Sequence, residues 1–580
     1  MRKAFVSAVL CLAAAVAAHA QEVGTIQGQV LSEAGEFPVA RARVLVADTT
    51  RDALTDAEGR FVIVQVPTGT RIVVVIRDGY APLSQSVTVP ARDTLTLDIR
   101  LPAAPTLAQE VTVTGRLSDY VDSSARAART SAPLIDVPQA IAVLPAPLIE
   151  DIGALDTKDL YKHVSGVSDS PYSSTVVRGF TQREVLVNGI RGNPYGSLEG
   201  DVNISGFSTS QFRLTNIERV EVLKGPSSVL YGAGEPGGII NYVTKKPREE
   251  FDAHVTIGTG SYHQGLGEAE VTGPANAART LRYRGAIYFE DRDSFRLNAN
   301  TRNVHAAGAL TWKPSARSAF GFEYEYIDQT NSAHRLRGVP VNAAGDFLAD
   351  YRWTATEPGD FTDLNAHVFQ VALNQALPGG RALDSTFRYL AYDRRENYHE
   401  PRGITGGVVM QREFRDQLRT NDDWSWSIGL SSPTNLGRGG RHDFTVGADV
   451  THQDHLFHFA TARQQNAGGP VPPLSLASPV YGAVNIARYG LTPARFSDDT
   501  ADTMRAGTYV QDLITLGPRW NVLLGGRVDR YDDTGTTAGK PLAGEDTAVT
   551  GRAGLVFKPH RQVSLYGSVA NGFNRAAVLS

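Results

Sequence analysis

The sequence predicts a mainly β protein: an N-terminal β-sandwich, a mixed α+β segment, and a transmembrane antiparallel β-barrel. Three observations predict it. Short β-branched runs separated by turn residues fill Gly24 to about Leu101, the texture of a small sandwich. From Phe251 onward apolar and polar residues alternate over long segments, one face suited to lipid and the other to a wet lumen. Past residue 20 the longest wholly aliphatic stretch is Ile72–Ile76, far below the ~18–20 residues of a spanning helix. Any membrane crossing must therefore use a closed barrel.

Composition narrows the function classes. The chain has 580 residues, room for several domains, with 57 Lys+Arg against 61 Asp+Glu and a net charge of -4. No basic cluster is present, which excludes the counterion-release binding of nucleic acid. The 42% hydrophobic content reads as soluble on average, but a barrel whose apolar residues fall at every second position gives the same average. The single cysteine, Cys11, excludes a disulfide scaffold and a Cys-rich metal site.

Residues 1–20 begin with Arg2 and Lys3, continue as an apolar run from Ala4 to Ala17 broken only by Ser7, and end in Ala18-His19-Ala20. This is the form of a secretory signal peptide with an Ala-x-Ala cleavage site. Cys11 sits inside the apolar run and not directly after the cleavage site, which argues against a lipid anchor there.

In residues 22–102, Thr25–Val30, Ala42–Val46, Phe61–Val66 and Arg71–Ile76 read as strands, with turns at Glu58-Gly59, Pro67-Thr-Gly69 and Asp78-Gly79. Gly24-Thr-Ile-Gln-Gly28, Thr55-Asp-Ala-Glu-Gly59-Arg-Phe61 and Gly79-Tyr80 resemble the carboxypeptidase-regulatory-like, transthyretin-like domain. The resemblance implies an accessory fold without catalytic residues, a spacer or docking module. The segment does not resemble a βαβ signalling domain, which argues against transcriptional signalling. Residues 103–131 are rich in Ala, Pro, Thr and Ser, the composition of a mobile connection. Within them Glu110, Val111, Thr112, Val113 and Thr114 form a run of strong β-propensity before Gly115, suited to pairing with another protein's sheet edge.

Residues 132–248 carry the most specific motifs. Asp136-Val-Pro-Gln-Ala-Ile141 opens the segment, and Val177-Arg-Gly-Phe180 and Val187-Asn-Gly-Ile-Arg191 follow. Ile217-Glu-Arg-Val-Glu-Val-Leu-Lys-Gly-Pro-Ser-Ser-Val-Leu-Tyr-Gly232 then runs into Ala233-Gly-Glu-Pro-Gly-Gly-Ile-Ile-Asn-Tyr-Val-Thr-Lys-Lys-Pro247. Together these resemble the plug domain of TonB-dependent siderophore receptors, nearly end to end. The resemblance implies a plug whose framework positions are Arg178, Gly179, Phe180, Asn188, Gly189, Gly225, Pro226, Gly232, Gly237 and Gly238. It also makes Glu110–Thr114 a TonB box. Gly232-Ala-Gly234-Glu-Pro-Gly237 satisfies a dinucleotide fingerprint, yet Pro236 interrupts it and a strand follows where a helix is required. Gly535-Thr-Thr-Ala-Gly539-Lys540-Pro541 is one residue short of a phosphate loop and lacks its Ser or Thr.

Residues 249–580 supply the barrel. Leu281, Tyr283, Gly285, Ile287 and Phe289 interleave with Arg282, Arg284, Ala286, Tyr288 and Glu290, and Phe322, Tyr324 and Tyr326 with Glu323 and Glu325. About thirteen strands fit between Phe251 and Phe573, with Asn331–Asp360 and Asn466–Asp498 as extracellular loops. The resemblance implies a barrel of about twenty-two strands. The expectation is therefore a barrel incomplete at its C-terminal side, a truncated product or a partial sequence.

For the ligand, the resemblance implies that a ferric siderophore, with iron(III) carried only as the chelate, binds at plug apices and barrel loops. The apices correspond to Thr181, Gln182 and Arg183 and to Arg191, Asn193 and Tyr195; Arg and Tyr donors suit an oxygen-rich anionic chelate. Equally, Arg178 and Arg191 could fix the plug inside the barrel by ion pairs. The Gly-Glu-Pro-Gly-Gly form leans toward hydroxamate or mixed-type siderophores. His452 and His458 share a strand face while His455 points the other way, which argues against a metal site, and no H-E-x-x-H or nucleophile elbow is present. The expectation is a transporter and not an enzyme, without a resident cofactor or metal. It would lie in the outer membrane of a Gram-negative bacterium, plug and sandwich facing the periplasm, with TonB, the chelate and outer-membrane lipid as partners. Cobalamin or an oligosaccharide is the alternative substrate, and a truncated, non-transporting product the alternative of another class.

Overall fold

The computed structural model describes residues 22–102 and 125–574, apart from 33–36, 48, 50, 78–79, 81, 131, 156, 170–174, 183–184, 192–213, 333–337, 438–439, 464–470 and 494–497. The leader-like residues 1–20 and the Glu110–Thr114 run lie outside the described residues. The chain divides into two compact units, the first holding the sandwich.

Seven strands build the first unit: β1 (Val23–Ser32), β2 (Arg43–Val46), β3 (Asp52–Leu54), β4 (Arg60–Pro67), β5 (Gly69–Ile76), β6 (Leu83–Val89) and β7 (Thr94–Leu101). They form two sheets, ordered β4-β1-β7 and β3-β2-β5-β6, with β1 parallel to β7 and antiparallel to β4. Ile26, Val30, Phe61, Ile63 and Ile99 of one sheet face Val44, Val46, Val73, Val75 and Val89 of the other in one buried cluster. The alternation slips once in β4. Gln65 takes a left-handed conformation (φ 57°) beside a register shift, so that Ile63 and Val66, three apart, both point inward, as a bulge requires.

The second unit begins with the segment that resembles a plug. Its elements are β8 (Ala140–Pro145), α1 (Ala146–Asp151), α2 (Thr157–Tyr161), β9 (Val167–Asp169), β10 (Thr175–Val177), β11 (Phe180–Thr181), β12 (Leu186–Val187), β13 (Ile190–Arg191), β14 (Ile217–Lys224), α3 (Ser228–Tyr231) and β15 (Gly238–Thr244). A five-stranded sheet of order β13-β12-β15-β14-β8 is flanked by the small sheet β11-β10-β9. Every residue of β15 is buried, which explains why its text, Gly-Ile-Ile-Asn-Tyr-Val-Thr, is apolar without alternation. Val220, Val222, Ile240 and Tyr242 pack on Leu144, Ile149, Leu160 and Val177 on one face. Leu223 and Ile239 meet Leu186 and Leu230 on the other.

The barrel wall consists of β16 (Asp252–Gly260), β17 (Gln264–Pro274), β18 (Leu281–Asp293), β19 (Asn300–Ser315), β20 (Ser318–Asn331), β21 (Phe361–Leu377), β22 (Arg381–Thr405), β23 (Val409–Gly437) and β24 (Gly440–Arg463). After the short β25 (Leu474–Ser475) and β26 (Thr492–Pro493) it continues with β27 (Asp499–Leu516), β28 (Trp520–Thr537), β29 (Lys540–His560) and β30 (Val563–Ala570). Among the described residues these make one antiparallel path of thirteen strands, with β25 beside β23 and β26 beside β24. In β18, Arg284, Tyr288 and Glu290 are buried while Ile287 and Phe289 are 53% and 42% exposed; the polar face turns inward and the apolar face outward. Short turns, such as those between β19 and β20 and between β27 and β28, lie at one end of the wall, where Trp312 stacks on Phe320 and the Trp520 and Phe557 rings meet at a tilt. The long connections 332–360 and 464–498 lie at the other, the asymmetry of an outer-membrane barrel.

Phe61 is almost fully buried in the sandwich core, so Phe61→Ala is expected to cost about 3–5 kcal/mol. Native-state hydrogen exchange on the full chain, read over β1, β4 and β7, checks this; unchanged protection there would show that the two sheets do not depend on that ring.

Candidate functional site

The plug-like sheet is organised around one carboxylate. Glu221 is wholly buried. It accepts hydrogen bonds from the backbone N–H groups of Arg126 (3.0 Å) and Ala127 (2.8 Å), from Asn241 Nδ2 (2.9 Å) and from Arg219 Nε (2.8 Å). A buried charge is tolerated only when its acceptor sites are filled in this way. The ring hydroxyl nearby follows suit: Tyr231 donates to Ala127 O (3.1 Å), and burial pushes its hydroxyl up to about 12.

The plug is tied to the wall on two flanks. On the first, Glu323 of β20 accepts from Thr244 Oγ1 (2.6 Å) and pairs with Lys246, while Gln370 of β21 donates to Glu323 (2.9 Å). Lys245 meets Glu270 of β17 at 3.2 Å, and Arg284 of β18 bonds both Glu270 and Asn216. On the second flank, Arg527 of β28 forks onto Asp449 of β24 with both contacts at 2.7 Å and donates to Leu230 O of the plug (3.3 Å). Arg129 lies between the Tyr231 and Tyr509 rings, 4.5 and 4.2 Å from their centres, and 3.6 Å from Asp449. Tyr531 accepts from the Ala233 N–H at 2.8 Å, and Asp136 receives Lys558 and Asn521.

At the long-loop end the connections are welded to one another. His399 Nδ1 donates to Asp360 (2.8 Å), and its Nε2 faces the Tyr489 hydroxyl (2.9 Å), which burial pushes up to about 12. Arg412 holds Glu357 (2.7 Å) and donates to Ala355 O and Pro472 O, both at 3.1 Å. The second Glu357 oxygen accepts from the Gly482 N–H (2.7 Å), and Trp353 Nε1 donates to Ser475 O (3.0 Å). Beside this weld opens a cavity of about 380 Å³ lined by Arg296, Pro340, Trp353, Arg402, Ile404 and Met410.

The residues singled out from the sequence fall in different places. Asn188 (φ 55°) and Gly189 (φ 76°) make the tight turn between β12 and β13. Asn188 is fixed by Thr244 Oγ1 (2.9 Å) and the Gly189 N–H by Asn241 Oδ1 (2.9 Å). Arg178 (φ 51°) and Gly179 (φ 87°) turn β10 into β11, and the Arg178 N–H bonds Gly166 O (2.7 Å). Arg178 faces the plug itself, its guanidinium 3.5 Å from where a Cβ on Gly225 would stand; burial and then the Arg178 charge lower the Lys224 ammonium. At Gly237 an added Cβ would stand 2.0 Å from Val177 O, and at Gly238 the same distance from Leu223 O; the backbones there touch, and only glycine fits. Gly225 and Gly232 occupy left-handed turns (φ 99° and 76°), and Pro226 precedes α3. Phe180 is 45% exposed and Thr181 is exposed, whereas Gln182 is buried and donates to Phe180 O at 3.1 Å. The Arg191 guanidinium donates to Ala233 O, and its own carbonyl accepts from Ser425 of the wall (3.1 Å). Arg183, Asn193 and Tyr195 lie outside the described residues.

The histidines of β24 do not converge: His452 meets Asp502 (3.0 Å), His455 meets Asn421, and His458 meets Asp498 (2.7 Å). His254, Glu268 and Glu270 stand within 4.8 Å of one another, but Glu270 is already held by Arg284 and Lys245. Sequence reasoning missed Glu323, Lys246, Asp449 and Arg527 as plug ties. For the three wall residues the signal was a charged residue at a lumen-facing position of an alternating strand, as with Glu323 between Phe322 and Tyr324.

Comparison with protein families matches residues 25–102 to the Carboxypeptidase regulatory-like domain, 133–239 to the TonB-dependent Receptor Plug Domain and 288–579 to the TonB dependent receptor-like, beta-barrel. Among curated proteins the chain is similar to the Metal-pseudopaline receptor CntO of Pseudomonas aeruginosa (strain UCBPP-PA14), 26% identical over 78% of this chain and 63% of that one. It is also similar to the Ferripyoverdine receptor of Pseudomonas aeruginosa, 24% identical over 76% of this chain and 53% of that one. The Ferrioxamine B receptor of Salmonella typhimurium (strain LT2) is 23% identical over 73% of this chain and 59% of that one. The chain thus spans about three fifths of the length of these relatives. Among solved structures, the ferripyoverdine receptor of the outer membrane of Pseudomonas aeruginosa bound to ferripyoverdine superposes with a TM-score of 0.67 at 20% identity, covering 82% of this chain and 62% of that one. The ferric-catecholate import receptor Fiu from E. coli K12 in its open form gives 0.67 at 17% identity, covering 81% and 73%.

Two substitutions separate the plug's own order from its attachment. Glu221→Ala leaves four donors without their acceptor and is expected to destabilise the plug sheet by about 3–5 kcal/mol. Glu323→Ala removes only the tie to β20, worth about 1.5–3 kcal/mol. Hydrogen exchange should then speed up throughout β8, β14 and β15 in the first variant, but at Thr244–Lys246 alone in the second.

Proposed function

The chain belongs to the TonB-dependent receptors, and on that premise we propose that it acts in the outer membrane, binding a ferric siderophore at the long-loop end and admitting it to the periplasm. The observation that carries this reading is an apolar-cored plug sheet tied to the charged inner face of the wall by ion pairs on two flanks. The relatives named for metal-pseudopaline, ferripyoverdine and ferrioxamine B favour a metal chelate over cobalamin or an oligosaccharide. Iron(III) enters as part of this substrate.

In this reading the chelate meets the loops and the plug apices, where Thr181, Gln182, Arg183, Arg191, Asn193 and Tyr195 offer donors to its oxygens. Of these, Arg191 also braces the plug, its guanidinium on Ala233 O within the plug and its carbonyl on Ser425 of the wall, so chelate binding there would bear on plug attachment. Glu110, Val111, Thr112, Val113 and Thr114 present an extended segment to TonB, which adds it as a strand. Force on that strand is delivered to the plug, whose ties to Glu323, Glu270 and Asp449 are ionic. Such ties exchange for water contacts at modest cost once water enters, so the plug shifts without unfolding the wall. The sandwich of residues 22–102 serves as a spacer or docking module on the periplasmic side.

Uptake of radio-iron by iron-starved cells whose other receptors are deleted tests the reading, with a panel of ferric siderophores supplied in turn. Accumulation from at least one chelate is expected, and it should vanish without TonB. Val113→Pro, which removes a ladder donor from the extended segment, should abolish accumulation and leave chelate binding intact. Labelled cobalamin or oligosaccharide taken up in place of iron, or a chain missing from the outer-membrane fraction, would sink the proposal.

A further inference from the structure

Among the charged lumen positions of the wall, β20, β21 and β22 share an apolar patch. Ile327, Ala366 and Tyr392 stand in direct cross-strand register, and Val368 faces Leu390 in the row below. Leu364 extends the patch by one row toward the long-loop end. Leu364, Ala366, Val368, Leu390 and Tyr392 are each at most 5% exposed, and among the described residues their cluster holds wall residues alone. Neighbouring side chains on one pleated face shield each other's flanks and leave their tips to the lumen. Burial this complete therefore requires cover from the lumen side.

The path of the plug chain says what supplies it. The row just below the patch runs in continuous register from β18 to β23 through Arg284, Ala309, Glu323, Gln370, Arg388 and Ser425. The plug is fixed to this row on both sides of the connection between β13 and β14. Arg191, the last residue of β13, has its carbonyl on Ser425 Oγ (3.1 Å), and Asn216, just ahead of β14, is bonded by Arg284. The connection 192–213 thus leaves the row at β23 and returns to it at β18, five strand spacings or about 24 Å away. The patch lies on the strands between these two points, one step above them. The connection carries Leu198, Val202, Ile204, Phe207 and Phe212. Packed on the patch, these side chains leave water; on β22 and β23 beside it they would meet the buried Arg394, Arg419 and Asp423 instead.

We propose that the patch on β20, β21 and β22 is the docking surface for the connection 192–213, an apolar anchor that fixes the apex of the plug to one side of the wall. The anchor differs in kind from the ionic ties below it. Water entering the seam replaces an ion pair at little cost but opposes the parting of apolar surfaces. Resting on the receptor reading above, force on the plug then frees the flank at Asp449 and Tyr531 first, while the apex stays on the patch. The plug pivots about that side of the wall.

The test uses the full chain in outer membranes, in a Cys11→Ser background that leaves no other thiol. Val202→Cys, Ile204→Cys and Phe207→Cys are made one at a time, and labelling by a maleimide added outside is timed. At least one of the three should label more than about tenfold faster once Leu364→Ser and Leu390→Ser thin the patch, the size of two lost apolar contacts. Glu323→Gln, which touches only an ionic tie, should leave that rate within about twofold. Each of the three is also combined with Leu390→Cys and oxidised, and at least one pair should form a disulfide, which needs Cα atoms within about 7 Å. Equal labelling with and without the serine substitutions, or no disulfide in any pair, overturns the anchor; if the serine variant loses its heat-modifiable mobility, the disulfide alone decides.

For the pivot, Ala233→Cys reports the opposite flank. Ferric citrate, a ferric tris-catecholate and a ferric trihydroxamate are supplied in turn to cells with and without TonB. Where radio-iron enters, the Ala233→Cys thiol should label faster with TonB and the apex thiol should not. Faster labelling of the apex, or uptake with no change at Ala233→Cys, overturns the pivot and leaves the receptor reading standing. Uptake from no chelate in the radio-iron panel overturns the receptor reading and the pivot with it, while the resting-state labelling and the disulfides still judge the anchor.

Discussion

Backbone hydrogen bonding in a medium without water is the constraint from which the rest of this structure follows. A strand in lipid must find its backbone partners on neighbouring strands, and among the described residues the wall is one antiparallel ladder in sequence order from β16 to β30. The pleat then sends successive side chains to opposite faces. Lipid claims one face, and the other must accept whatever remains, which in β18 is Arg282, Arg284 and Glu290. A polar lumen is thus a by-product of the lipid-facing alternation. Once it exists, a domain inside it is attached largely by charge and hydrogen bonds, beside the apolar patches the inner face keeps, such as Leu364, Ala366 and Val368.

That attachment differs in kind from the cohesion of the plug itself. The sheet β13-β12-β15-β14-β8 is packed from both sides by apolar clusters, and Glu221 fills its acceptor sites from Arg219 and Asn241 of the sheet and from the N–H groups of Arg126 and Ala127 just ahead of it. The ties to the wall are instead Thr244 and Lys246 on Glu323, Lys245 on Glu270, and Arg129 near Asp449. Apolar packing cannot be undone in water without a large cost per unit area, whereas an ion pair loses little when its partners are rehydrated. The molecule places the first inside the plug and the second around it. A plug so built moves as a body before it comes apart.

The degree to which this could be read from the chain follows the same division. Alternation, turn residues and the fully apolar text of β15 are local patterns, so the sandwich, the plug strands and a wall of thirteen strands were legible. The Asn188-Gly189 turn and the Gly237-Gly238 contact were legible as motifs, though their physical cause, a backbone carbonyl 2.0 Å from where a Cβ would stand, is not. Pairings between distant residues were not legible. Glu323 and Lys246 are 77 positions apart and Arg412 and Glu357 are 55 apart, and no spacing rule joins them. Arg191 shows the limit well. Its sequence admits a ligand contact or a brace, and only the geometry adds that its guanidinium reaches Ala233 O.

The long connections illustrate how a loop becomes a rigid surface. Apart from the two-residue strands β25 and β26, which pair with β23 and β24, the described residues of segments 332–360 and 464–498 add no strand to the wall, and chain entropy alone would leave them open. Three polar contacts remove that freedom: Glu357 joins Arg412 to the Gly482 N–H, His399 joins Asp360 to Tyr489, and Trp353 reaches Ser475 O. Each links the two connections to each other or to β22 and β23, and Arg412, His399 and Trp353 are all buried, so the bonds are not competed by solvent. The consequence is electrostatic as much as mechanical. A fixed surface holds Arg402 and Arg463 beside a single shared carboxylate, where a loose one would let them spread apart and hydrate. The rigidity of the loops is therefore what keeps Arg402 and Arg463 on the shared Glu413 carboxylate.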